Sequence, residues 1–148
     1  MERLIEDRYL PGTGLRLRKV TAADGTSIFK LGKKYPGASL SSRPMTNIYL
    51  DAVEYAVLAA VPAATLVKRR HDLGEGVAVD RFEGVLAGLV LAEIAADDDA
   101  ALAAVAIPAW CRAEVTDDPA YAGGTLAIEG WHRETGTGIV SLSEGDEA

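Results

Sequence analysis

Three observations predict an α+β fold with a mostly antiparallel sheet. Short runs of alternating apolar and charged residues recur along the chain. Turn residues separate them at hairpin spacing. Two segments carry helix starts. Leu15-Arg16-Leu17-Arg18 shows the first most clearly: in a strand its leucines leave one face and its arginines the other. Enough such runs follow for the sheet to curl towards a barrel.

In chain order, Ile5 to Leu10 reads as a short strand stopped by Pro11-Gly12-Thr13-Gly14. Leu15 to Thr21 is the next strand, and Asp24-Gly25 is the hairpin signal that turns it into Thr26 to Lys34. Tyr35 to Ser42, with its proline, glycine and serines, is a loop, and Arg43 to Leu50 includes a further strand. Asp51-Ala52-Val53-Glu54 has capping-box spacing, so a helix should run to about Ala60, short of Pro62. Thr65 to Asp72 and Val77 to Phe82 read as strands joined through Gly74 and Gly76. Gly84 to Gly88 is a bend before a strand over Leu89 to Ala95. Asp97-Asp98-Asp99 favours a helix start, and the alanine-rich stretch behind it should stay helical to Pro108. Arg112 to Thr116 is the expected last strand, and residues 131–148 are expected to form a polar, acidic, frayed tail. Residues 1–130 are then one domain, since 148 residues suffice for a single core and no linker divides them.

Composition narrows function. With 49% hydrophobic and 25% charged residues the chain is that of a globular protein. Its apolar runs, such as Val85 to Ala92, are too short for a membrane span. The single cysteine, Cys111, excludes an intrachain disulfide framework and fits a cytoplasmic protein. A net charge of −7 argues against nonspecific nucleic-acid binding but conceals a division, because residues 1–70 carry a net +6 and residues 71–148 a net −13.

Cations fall on alternating positions of successive strands: Arg16 and Arg18, then Lys30, then Lys68 and Arg70. Carboxylates, Asp80 and Glu93, fall on the later ones. Guanidinium suits phosphate because its planar fork donates two parallel hydrogen bonds. Two like charges about 6 Å apart at an effective dielectric near 20 repel by roughly 3 kcal/mol. Five cations on one face therefore require water, carboxylates or a polyanion to balance them, and the carboxylates could also hold Mg²⁺ or Mn²⁺. Other chemistries find no support. His71 and His132 lack zinc-ligand spacing with Cys111, Ser27, Ser41 and Ser42 lack a triad, and Gly12-Thr13-Gly14 lacks a following lysine. Trp110, Trp131 and the five tyrosines are too scattered for a base-stacking platform.

The ordered set Leu15-Arg16-Leu17-Arg18, Phe29-Lys30-Leu31, Ile48-Tyr49-Leu50 with Glu54-Tyr55, Lys68-Arg69-Arg70, Val79-Asp80 with Phe82-Glu83-Gly84, Gly88-Leu89 with Ala92-Glu93, and Glu114-Val115-Thr116-Asp117 resembles the CYTH family, the triphosphate tunnel metalloenzymes. The resemblance runs from about Ile5 to Leu126. It implies an antiparallel β-tunnel with flanking helices that binds inorganic triphosphate or a nucleoside triphosphate with divalent metal. Arg16, Arg18, Lys30, Lys68 and Arg70 would grip phosphate, and Asp80 and Glu93 would lie on the Mg²⁺ or Mn²⁺ side. Triphosphatase activity is the expected chemistry. A noncatalytic polyphosphate- or nucleotide-binding module and a class IV-type adenylate cyclase are the alternatives.

Two departures bear on catalysis. The family's Glu-x-Glu-x-Lys strand is absent, since Met1-Glu2-Arg3-Leu4-Ile5 is similar to the segment just after it. Ala95 also stands where a second carboxylate is expected after Glu93. A missing first strand would leave β-edge groups open beside the Leu15 strand, to be closed by a homodimer partner, by repacking or by upstream residues.

Overall fold

The computed structural model describes residues 1–37, 43–131 and 139–144, the last segment by its backbone alone. Among the described residues the strands are Glu2–Tyr9 (β1), Leu15–Ala22 (β2), Ser27–Lys34 (β3), Met45–Leu50 (β4), Ala64–Gly74 (β5), Val77–Phe82 (β6), Val90–Ala96 (β7), Ala113–Glu114 (β8) and Ile139–Glu144 (β9). The helices are Ala52–Ala59 (α1), Asp99–Ala103 (α2) and Gly123–Glu129 (α3). The fold is α+β. All strands join one sheet in the order β4-β3-β2-β1-β5-β6-β7-β9-β8. The first seven pair antiparallel, whereas β9 lies parallel to both β7 and β8.

Local chemistry accounts for most of these elements. At the β2–β3 turn Gly25 takes φ +88°, where a side chain is disfavoured, and Asp24 Oδ1 accepts from the Thr26 amide at 2.9 Å. The carboxylate of Asp51 caps α1 by accepting from the Glu54 amide at 2.8 Å. That helix lies over β2, β3 and β4, with the Phe29 and Tyr55 rings 4.7 Å apart. Leu66, Phe82 and Leu91 pack on one face of the sheet with Leu86, Leu89, Val115, Tyr121 and Leu126. Ala92 and Ile94 pack with Leu102 on the other.

Several expectations need correction. The strand expected at Ile5 to Leu10 begins at Glu2 and lies centrally, between β2 and β5. Its alternation of Ile5, Asp7 and Tyr9 with charged residues hid a position paired on both sides. The Leu15 strand is therefore not a sheet edge; the edges are β4 and β8. No pairing joins those edges among the described residues, so the sheet stays open and a closed tunnel is not formed by hydrogen bonds.

The helix expected to reach Pro108 stops at Ala103, because Leu102 alone is buried and a short helix needs packing to persist. The Arg112 to Thr116 strand shrinks to β8, and the last strand is β9, inside the segment expected to fray. Finally, α3 was not foreseen, because Gly123-Gly124 opens it. Those glycines permit contact with β1: a Cβ on Gly123 would lie 2.1 Å from Tyr9 Oη. No helix among the described residues is long and apolar enough to cross a membrane.

A charged band on the inner face

Strand register puts all the anticipated cations on one face. Arg18 stands opposite Lys30 on β3 and opposite Asp7 on β1, and Arg16 shares its side two residues earlier. Asp7 is opposite Leu66, which is in phase with Lys68 and Arg70. Arg70 is opposite Asp80, and Ala78, in phase with Asp80, is opposite Glu93. The seven residues thus form a band running diagonally from β3 to β7, and Asp7 is an eighth member.

Most of this band is buried. Asp7, Arg18, Lys30, Lys68, Arg70 and Asp80 are each 0–6% exposed. Burial of that degree on one face of a single sheet fits a sheet that curves towards it. We call this concave side the inner face. The apolar cluster of Leu66, Phe82 and Leu91 continues it and packs against α3.

Most of the charges are paired. Arg18 forks onto Asp7, its Nε and an Nη donating at 2.6 and 2.7 Å. Arg70 forks onto Asp80 with both bonds at 2.7 Å, and Lys68 Nζ donates to the same carboxylate at 2.6 Å. Glu93 accepts from Arg70 at 2.5 Å and lies 3.5 Å from Lys68 Nζ. Burial would raise the Asp7 carboxyl, but the neighbouring Arg18 guanidinium outweighs it and holds the pKa below the ordinary value. Glu93 is likewise held far below the usual range, with Lys68, Arg70 and Arg18 overriding its burial. Desolvation works against the Arg18 and Arg70 guanidinium ions, yet their carboxylate partners push both upwards.

Arg16 is different. Among the described residues it has no carboxylate within ion-pair distance, and its buried Nε has no hydrogen-bond partner. Burial, then the Arg18 charge, lowers its pKa, and its polar contact is to Tyr9. Tyr9 itself is pushed up to about 12 by burial and the Asp7 charge.

Among the described residues of the band, five cations face three carboxylates. Both Asp80 oxygens already accept from Lys68 and Arg70, and Glu93 is turned to the same two cations. No group of three His, Cys, Asp or Glu side chains among the described residues could hold a metal ion. Asp80 and Glu93 act here as counter-ions to Lys68 and Arg70. His71 lies on the opposite face, 3.6 Å from Glu2, away from the band. Asp7 escaped the sequence reading, although its phase with Ile5 and Tyr9 would place it inside.

No family model, no curated protein and no solved structure matches this chain.

Proposed function

We propose that the inner face binds inorganic triphosphate or a nucleoside triphosphate. The observation that supports this is Arg16, a largely buried guanidinium with an orphaned Nε and no acidic partner among the described residues. A buried charge is costly unless paired, and a ligand anion would complete the balance that Asp7, Asp80 and Glu93 leave unfinished. Cations on β3, β2 and β5 span three strand intervals, about 14 Å if flat, which favours an extended polyanion over one phosphate. Arg16, Arg18, Lys30, Lys68 and Arg70 would donate to its oxygens, with the curled sheet as the wall of a tunnel-like site.

Binding without turnover is the form the geometry favours. The expected metal-side residues, Asp80 and Glu93, are committed to Lys68 and Arg70. A triphosphatase of this chain would have to free them.

Tripolyphosphate incubated with the protein and Mg²⁺ or Mn²⁺ separates the readings. Saturable binding that persists in chelator, with no orthophosphate released, is expected. Release of orthophosphate above the buffer rate would make the chain a hydrolase, and cyclic AMP formed from ATP would make it a cyclase. No binding at all would overturn the proposal.

A further inference from the structure

The two edges of the sheet differ in kind. β8 is only two residues long and carries Glu114, which makes it a poor template for pairing. β4 is six residues, Met45-Thr46-Asn47-Ile48-Tyr49-Leu50, with no charged side chain. Folded proteins usually blunt an edge with lysine, proline or brevity, and β4 has none of these within it. Ile48 is 55% exposed and Tyr49 63%, so both faces of the strand show apolar surface at the edge. α1, which follows directly, exposes Val53 and Val57 one turn apart.

Charge around this edge is polarised along the strand. At its beginning stand Arg43 and, on β3, Lys34 opposite Met45 and Lys33 opposite Thr46. At its end stand Asp51 and Glu54. These two carboxylates crowd each other: the bond to Asp51 and then its charge raise the Glu54 pKa.

We propose that β4 is a homodimer edge, pairing antiparallel with β4 of a second copy about a two-fold axis through the strand. Antiparallel pairing lays the Arg43 and Lys33 end of each copy against the Asp51 and Glu54 end of the other. The patch is therefore complementary to itself, as an isologous interface requires. Parallel pairing would set like charges together. The dimer would continue one sheet across two molecules and cover Ile48 and Tyr49, with the two α1 helices flanking the joint.

Sedimentation velocity of the full chain over a range of concentrations tests this. A monomer–dimer equilibrium is expected. Ile48→Lys, a substitution at an exposed edge, should give monomer at every concentration while far-ultraviolet circular dichroism stays unchanged. Arg43→Glu and Glu54→Lys should each weaken the dimer by roughly tenfold or more, and the double variant should restore it. Wild type that stays monomeric at the highest soluble concentration overturns the proposal. So does a dimer indifferent to Ile48→Lys, or a charge-swapped double variant no tighter than the singles.

Discussion

Arg16 and Arg70 share one face of the sheet but play opposite parts. Arg70 is satisfied by Asp80 and Glu93, so it holds the fold together as much as it offers charge. Arg16 reaches Tyr9 but has an orphaned Nε and no acidic partner among the described residues. Substitution should separate them. Asp80→Asn removes the counter-charge of Lys68 and Arg70 in a fully buried position and should cost about 3–5 kcal/mol of stability, measured by urea unfolding. Arg16→Met keeps the side-chain volume, removes an uncompensated charge and should leave stability equal or higher. If Arg16→Met destabilises as much as Asp80→Asn, the guanidinium has an internal partner and its assignment to a ligand is wrong.

At the scale of elements, strand phase was the legible part of the sequence. The alternation of Arg16 with Arg18 and of Lys68 with Arg70 gave the shared face, and the register that joins β2 to β5 only connected what each strand had already declared. What the sequence hid was context. β1 looks like a half-exposed strand because Glu2, Glu6 and Arg8 alternate with apolar residues, yet it lies mid-sheet, where those charges sit on the outer face. α3 was hidden by Gly123-Gly124, residues that argue against a helix by propensity and are kept because Tyr9 leaves no room for a side chain. Gly123→Ala should therefore cost about 1–3 kcal/mol by overpacking. Asp51→Ala, which removes the cap of α1, should cost about 1 kcal/mol. Thermal unfolding checks both. An unchanged Gly123→Ala midpoint would mean that α3 does not rest on Tyr9.

For the whole molecule, the paired carboxylates set the acid limit. Asp7 and Glu93 titrate below their ordinary values in the folded protein. Their contribution is thus fully present above the unfolded values of about 4 and is lost as pH falls from there. Tyr9 sets an alkaline limit in the other direction: its folded pKa of about 12 lies above its ordinary value of 10.0, so stability is lost as pH rises between the two. Unfolding free energy should be level in between, and a fall that begins near neutral pH would show that other groups dominate. The molecule as a whole is acidic, so the proposed capacity for a polyanion would rest on the local excess of cations along the buried band.

The most direct measurement of that capacity is isothermal titration of tripolyphosphate into wild type and into Arg16→Met in the presence of chelator. Saturable binding by wild type, reduced at least tenfold (about 1.4 kcal/mol) in Arg16→Met with stability intact, is the predicted result. Equal affinity in the two proteins, or no heat of binding in either, would contradict it.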